Sequence, residues 1–118
     1  MAGAVANTYT SCLFHCVFST KGRRKPLTIE LREEIWPYMG GIARNNGFTG
    51  LAVGGSDDHA HVLLALPANV PVAKAVQLVK TGSSKWIHDT FAAHRDFAWQ
   101  EGYGAFPIGK AAVDETSR

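Results

Sequence analysis

The chain is poor in cysteine and has no long apolar run among its 118 residues. Its two cysteines, Cys12 and Cys16, lie in one strand-like stretch. Four residues of strand span about 13 Å, which is too far for a disulfide, so we expect two free thiols. No stretch approaches the roughly 20 apolar residues of a membrane span, and residues 1–8 lack the features of a signal peptide. We therefore expect a cytoplasmic protein that does not associate with a membrane.

Charge is also scarce, because the net charge is only +2 and charged residues make up 19% of the chain. So small an excess does not by itself indicate a polyanionic partner. The basic residues are nevertheless grouped. Lys21, Arg23, Arg24 and Lys25 form one cluster, and Lys74, Lys80 and Lys85 recur along a second segment. Either group could face phosphates.

The length and the hydrophobic content of 46% are typical of a globular domain, which we take to span residues 1–118 as a single unit. Such a chain buries roughly two thirds of its unfolded surface and can hold a core without disulfides. We find no internal repeat and no low-complexity segment that would divide it.

Four stretches have the composition and alternation of strands. They are Thr8 to Thr20, Phe48 to Val53, His59 to Leu66 and Phe97 to Ile108. The first is apolar on both faces, which is typical of a central strand. Gly54-Gly55-Ser56-Asp57 predicts a turn between the second and third strands.

Two segments have the spacing of amphipathic helices. Thr28 opens the first, Pro37 is predicted to kink or interrupt it, and its apolar positions are Leu31, Ile35, Met39 and Ile42. The second runs from Val72 to about Ala93 and keeps its helical register despite the interruption at Gly82-Ser83-Ser84, which predicts one long helix that could bend there. The order β-α-β-β-α-β predicts an α+β fold of the ferredoxin-like type, an antiparallel sheet with both helices on one face.

The third predicted strand begins with His59 and His61. Because strand side chains alternate between faces, both imidazoles point the same way, while Ala60 and Val62 point the other way. A buried polar ring without a partner costs about 1–3 kcal/mol, so a bound cation would explain two of them on one face. The alternative is that the pair lies at the solvated mouth of an ordinary strand.

Three further blocks accompany this pair. They are Phe14-His15-Cys16-Val17-Phe18-Ser19-Thr20-Lys21 with Arg23-Arg24, Lys80-Thr81-Gly82-Ser83-Ser84-Lys85, and Trp99-Gln100-Glu101-Gly102-Tyr103-Gly104-Ala105. With these four ordered blocks, the chain resembles the single-tyrosine transposases of the HUH (His-hydrophobic-His) superfamily, which includes insertion-sequence and REP-associated enzymes. The resemblance covers most of the chain.

The resemblance implies an endonuclease and strand transferase acting on single-stranded DNA. In that family two histidines, matched here by His59 and His61, bind magnesium or manganese, which polarises the scissile phosphate. Imidazole suits ions softer than magnesium, so manganese is the ion we would test. The implied partners are single-stranded or hairpin DNA and a second copy of the chain. A homodimer would also suit an apolar first strand at a sheet edge.

The nucleophile in the family is a tyrosine on a helix after the last strand, and by the resemblance it would follow Arg118. Val113 to Arg118 resembles the first turns of that helix. We therefore expect a metal-binding and DNA-binding core without its nucleophile, inactive in cleavage by itself. Tyr103 is the substitute to consider, but an aromatic residue between two glycines is more typical of packing or base stacking.

For DNA binding, the resemblance and the charge pattern together select Lys21, Arg23, Arg24, Lys80, Ser84 and Lys85. The alternative for each is solvated surface. His15 could support the histidine pair or be an ordinary core histidine, and Asp57 and Asp58 could orient an imidazole or merely form the turn. A function of another class also stays open, a non-catalytic ferredoxin-like module that binds nucleic acid without metal.

Overall fold

A computed structural model describes residues 12–109 of the chain. In chain order its elements are β1 (Cys12–Ser19), α1 (Ile29–Asn45), β2 (Thr49–Gly55), β3 (His59–Leu66), α2 (Val72–Thr90) and β4 (Gly104–Pro107), with short 3-10 turns at Lys21–Arg23 and Ala92–His94. This order confirms the predicted β-α-β-β-α-β arrangement. The predicted strand residues Thr8 to Ser11 and the predicted helical turns from Val113 to Arg118 lie outside the described residues.

The four strands form one antiparallel sheet in the order β2-β3-β1-β4. β1 pairs along its whole length with β3, from Cys12 opposite Leu66 to Ser19 opposite His59. Its other edge pairs with β4 from Phe14 to Val17. β1 is therefore a central strand, as its two apolar faces predicted. The suggestion that β1 forms a sheet edge available for dimerisation is wrong, because both of its edges are paired within the chain.

Both helices pack on the same face of the sheet and enclose the core. Side chains from β1, β3, α1 and α2 meet there, among them Phe18, Val62, Ile35, Met39 and Val79. This arrangement confirms the predicted ferredoxin-like fold. Because side chains alternate along a strand, the odd-numbered residues of β1 and β3 project from the opposite face of the sheet.

Helix α1 begins at Thr28, whose Oγ1 accepts a hydrogen bond of 3.2 Å from the amide of Leu31. The helix is not interrupted at Pro37, contrary to one of the two predicted outcomes. Pro37 removes the donor for the carbonyl of Glu33. Glu33 is exposed, so that carbonyl can face solvent and the helix continues.

Helix α2 runs without a break through Gly82-Ser83-Ser84, which confirms the prediction of one long helix across this stretch. At Gly82 the two helices approach closely, since an added Cβ would lie 2.9 Å from Cδ1 of Ile42. Ser83 is fully buried, donates to the carbonyl of Lys80 and accepts from the indole of Trp99. Tertiary contacts therefore stabilise helix at residues with weak helical preference.

The last extended stretch is shorter than predicted. An isolated bridge joins Trp99 to Thr20, and regular pairing resumes only at β4. Between them, the ammonium of Lys80 donates to the carbonyls of Gln100 at 2.7 Å and Gly102 at 2.9 Å. Lys80 thus fastens this loop to α2.

The expected free thiols are confirmed: Cys12 is exposed and Cys16 is buried. Among residues 12–109, no helix is long and apolar enough to cross a bilayer.

Candidate metal centre

His59 and His61 lie side by side on the sheet face that the helices leave open. Their ring centroids are 4.8 Å apart and their planes meet at 72°. Across the sheet, Val17 of β1 and Gly54 of β2 lie opposite His61. Val17 lines the cleft, and a Cβ built on Gly54 would meet no atom within 4 Å, so the space beside His61 on the β2 side is open.

The two rings line an open cleft of about 420 Å³ at one end of the sheet. The other walls are the end of β1, the side chain of Arg23 and the segment from Glu101 to Gly104. The cleft therefore combines two potential metal ligands with a guanidinium group.

The orientation of His59 is fixed by the turn that precedes β3. Its Nδ1 lies 2.9 Å from Oδ1 of Asp58 and 2.8 Å from Oγ of Ser56. Oδ2 of Asp58 accepts a bond of 3.2 Å from Nε of Arg23. The hydrogen bond from His59, with those from Ser56 and Arg23, lowers the pKa of Asp58 to about 2, although partial burial opposes the shift. Asp58 is therefore an ionised acceptor that connects His59 to Arg23, which belongs to the loop of residues 20–26 (the basic loop).

His61 has a different partner. Its Nδ1 lies 3.0 Å from Nε2 of His15, which projects from β1 on the same face. Burial lowers the pKa of His61 from its ordinary value of 6.5, and the charges of His59 and His15 lower it further. The shift favours the neutral imidazole, which is the form that binds a metal ion.

The donor set fits a divalent ion. In both His59 and His61 the Nδ1 atom has a protein partner, which leaves Nε2 as the nitrogen for a ligand. Within residues 12–109, no cluster of three or more His, Cys, Asp or Glu side chains could hold a metal ion. The pair would thus supply two ligands, and an ion there would complete its shell with other donors, such as phosphate oxygens.

The basic loop lies beside the histidine cleft. Arg23, whose φ is +57°, lines the cleft and pairs with Asp58. Arg24 is exposed, with Nη1 3.7 Å from a carboxylate oxygen of Asp96. Lys21 is also exposed, and its backbone amide donates to the carbonyl of Ala98. Of the three predicted DNA-binding residues of this loop, Arg23 therefore lines the histidine cleft, whereas Lys21 and Arg24 line a neighbouring cleft of about 320 Å³ with Asp96 and Ala98.

Lys80, Ser84 and Lys85, the other predicted DNA-binding residues, line a second open cleft of about 470 Å³ along α2. Lys85 is paired with Asp89 at 2.6 Å, and Lys80 holds the loop at Gln100 and Gly102. The structure therefore places this group apart from the histidine cleft, although Lys80 contacts the segment that borders it.

The tyrosines have different environments. Tyr103 lines the histidine cleft and is 41% exposed. Tyr38 stacks on Trp86 at a centroid distance of 4.5 Å, and Tyr9 lies outside the described residues. Tyr103 is thus the one tyrosine of residues 12–109 that lines this cleft.

Two residues of the site were missed from the sequence. Ser56 contacts both His59 and Asp58, and Glu101 lines the cleft. The position of Ser56 in a predicted turn, two residues before Asp58, is only a weak indication that it contacts Asp58 and His59. Nothing in the local sequence indicates that Glu101 folds back toward β3.

The fold and the cleft define a ferredoxin-like α+β domain with a histidine pair beside a basic loop. The sequence profile of the family described as "Transposase IS200 like" matches residues 8–118. The chain belongs to the IS200-like transposase family.

Individual proteins agree with this assignment. This chain is 26% identical over 113 residues to the transposase of insertion sequence element IS200 from Salmonella typhimurium. The match covers 91% of this chain and 74% of the relative, and the IS200 transposase of Salmonella typhi gives the same values. A crystal structure of a Deinococcus radiodurans protein assigned as a transposase has a TM-score of 0.79 at 19% identity, covering 90% of this chain and 85% of the other. A REP-associated tyrosine transposase bound to a REP hairpin has a TM-score of 0.64 at 14% identity, covering 90% and 62%. These structural similarities confirm the fold.

Proposed function

We propose that this chain is the metal-binding and DNA-binding core of a cytoplasmic transposase that nicks and rejoins single-stranded DNA. The observation that carries the proposal is the pairing of His59 and His61 in one cleft, each with Nδ1 engaged by the protein, beside Arg23. A bound magnesium or manganese ion would supply Lewis-acid stabilisation of the charge that develops on phosphoryl oxygens.

The surrounding residues orient these ligands and hold the substrate. Asp58 and Ser56 keep His59 in place through its Nδ1. Arg23 is 69% exposed although it pairs with Asp58, so its guanidinium can also bind a phosphate in the cleft. Lys21 and Arg24 are exposed on the same loop, and we propose that they bind flanking phosphates.

The chemical step is a transesterification by tyrosine. The phenolic oxygen loses its proton and forms a bond to phosphorus, the bond from phosphorus to the 3′ oxygen breaks, and the leaving 3′ oxygen takes up a proton, so that no net proton is gained or lost. The products are a 5′-phosphotyrosine and a free 3′ hydroxyl. A tyrosine with a pKa near 10 is only about 0.1% ionised at pH 7, so attack depends on a well-positioned phosphate. We propose that this tyrosine follows Arg118, as the resemblance implies, and is not Tyr103.

Hairpin DNA is the substrate class that we propose. The REP-associated transposase of similar fold was solved bound to a REP hairpin, and the basic loop of this chain could bind a folded single strand. We further propose a homodimer in which one subunit contributes to the other's site.

A first experiment measures binding of a labelled hairpin oligonucleotide by fluorescence anisotropy as salt is varied. Lys21→Glu and Arg24→Glu should each weaken binding and reduce the slope of log K against log salt by about 0.7 for each phosphate that is no longer neutralised. Arg44→Glu is the matched control, because Arg44 is exposed but lies far from the proposed interface. It is at the end of α1, close to Thr49, and Thr49 pairs with Ala65 at the end of β3 opposite to His59. Equal reductions in all three variants would contradict the proposed interface.

A second experiment scores covalent protein–DNA adducts on a denaturing gel in the presence of manganese. The 118-residue chain should form no adduct, while a chain continuing past Arg118 should form one and lose it on His59→Ala. An adduct with the 118-residue chain that disappears in Tyr103→Phe would overturn our placement of the nucleophile.

One observation favours the non-catalytic binding module as a second candidate. Phe106 is 57% exposed and lies opposite His15, on the sheet face where aromatic residues of RNA-binding domains stack on bases. Such a module would bind its hairpin equally well with a chelator present, and His59→Ala would leave binding unchanged.

A further inference from the structure

His15 has a contact with the histidine pair that the chain sequence alone does not reveal. In the register of β1 and β3, His15 lies opposite Leu63, two residues from His61. Diagonal neighbours on one sheet face are about 7–8 Å apart at the backbone, which long side chains can bridge. The imidazoles do so: Nε2 of His15 and Nδ1 of His61 are 3.0 Å apart, and the rings are nearly parallel at 18°.

The direction of this hydrogen bond decides whether His61 can bind a metal ion. A neutral imidazole carries one N–H, and its other nitrogen is the acceptor or ligand. If Nδ1 of His61 donates to Nε2 of His15, then Nε2 of His61 has a free lone pair. If the bond runs the other way, the proton of neutral His61 is on Nε2, and that nitrogen cannot bind an ion.

His59 and His61 would then have the same arrangement, in which Nδ1 donates to a protein acceptor and Nε2 is available to the ion. His59 has Nδ1 against the carboxylate of Asp58, and His61 has Nδ1 against the imidazole of His15. Metal-binding histidines generally donate their second ring N–H to a protein acceptor, which fixes both the tautomer and the ring orientation. The side chain of Phe106 also lies near His15, with ring centroids 6.5 Å apart.

We propose that His15 is a positioning residue of the metal site, which accepts the Nδ1–H of His61 and so presents Nε2 of His61 to the ion. The inference rests on the proposed metal-dependent function. It assigns His15 no contact with the ion or with DNA.

The test is a titration of the purified chain with Mn²⁺, followed by electron paramagnetic resonance of the free ion. His15→Phe keeps a ring but has no acceptor, and its Kd for Mn²⁺ should rise by about 10–100-fold. His15→Gln provides an amide oxygen as acceptor and should stay within about threefold of the wild type, since removal of the acceptor is what costs affinity. His94→Phe is the matched control, because His94 contacts Phe91 outside the cleft and should not change the Kd.

A tautomer measurement keeps the proposal testable if a variant does not fold. In the metal-free wild type, ¹⁵N shifts of the His61 ring should indicate a proton on Nδ1, and a proton on Nε2 would overturn the proposal. Wild-type affinity in His15→Phe, with binding abolished in His59→Ala, would also overturn it while leaving the proposed function intact. Absence of Mn²⁺ binding by the wild type would instead refute both.

Discussion

The hairpin that carries His59 depends on a glycine at position 55. Its φ is +152°, and a Cβ built there would lie 2.1 Å from the carbonyl oxygen of His59 and 2.9 Å from Cα of Ala60. That oxygen also accepts the amide of Ser56, which closes the turn. Because every clashing atom is backbone, Gly55→Ala forces the hairpin to open.

The cost follows from two effects. Holding a non-glycine residue in this region of φ and ψ costs about 1–3 kcal/mol, and displacing a packed backbone costs a similar amount. We expect Gly55→Ala to lower the free energy of unfolding by about 2–6 kcal/mol and to weaken Mn²⁺ binding, since His59 moves with its carbonyl. Urea denaturation followed by circular dichroism measures the first effect.

Gly54→Ala provides the matched control. Gly54 does not have a positive φ, and a Cβ at this position meets no atom within 4 Å. Its substitution should change stability by no more than about 0.5 kcal/mol, in line with other open surface positions. Equal stability of the two variants would refute the hairpin geometry on which the site depends.

Three further predictions concern the core and the titration of the site. Ser83→Ala should lower the free energy of unfolding by about 1–2 kcal/mol in urea, because the indole N–H of Trp99 is left without its acceptor. Burial raises the pKa of Cys16 to about 11, so iodoacetamide at pH 8 should label exposed Cys12 and leave Cys16 unmodified until the protein is denatured, as read by mass spectrometry. The lowered pKa of His61 means that its ring should titrate below pH 6.5 by NMR in the metal-free protein. Between the lowered pKa of folded His61 and its ordinary value of 6.5, the unfolded state binds more protons than the folded state. The contribution of His61 to the free energy of unfolding therefore falls as the pH drops below 6.5.

Each of these has an outcome that would contradict it. Ser84→Ala should be nearly neutral, since Ser84 is only half-buried and lines an open cleft, so an equal destabilisation in Ser83→Ala and Ser84→Ala would argue against the indole contact. Rapid labelling of Cys16 in the native protein would mean that its side chain is not buried in the core. Titration of His61 at or above pH 6.5 would contradict its burial beside two other imidazoles.

The order and type of the elements could be predicted because the pattern of each is local. In α1 the apolar residues Leu31, Ile35 and Met39 follow the helical period and are all buried in the structure. β1 is apolar on both faces, and it is indeed flanked by strands on both sides. Hydrophobic periodicity of this kind reflects residues close together in the sequence, so it predicts single helices and strands well.

Features that depend on distant residues were not predictable. Pro37 does not interrupt α1, because the carbonyl that it leaves free belongs to an exposed residue and can face solvent. Ser83 does not break α2, because Trp99 and the packing at Gly82 hold the helix. In both cases the local preference is real but the surrounding structure compensates for it.

In the candidate site, too, features that depend on local sequence could be predicted, whereas contacts between distant residues could not. His59 and His61 could be placed on one face from strand alternation alone, and the two aspartates before them were candidates for orienting an imidazole. Only the folded chain distinguishes these aspartates, since Asp58 contacts His59 while the backbone carbonyl of Asp57 accepts the amide of Leu27. The contact of His15 with His61 requires the register of β1 on β3, which joins positions 46 residues apart.

The most direct test of a metal centre at His59 and His61 is a crystal of the protein soaked in Mn²⁺ and measured for anomalous scattering. We expect one peak within bonding distance of Nε2 of both rings, with Nδ1 of His59 still hydrogen-bonded to Asp58 and Nδ1 of His61 still hydrogen-bonded to His15. Ordered rings without a peak between them, or an ion bound through Nδ1, would contradict it.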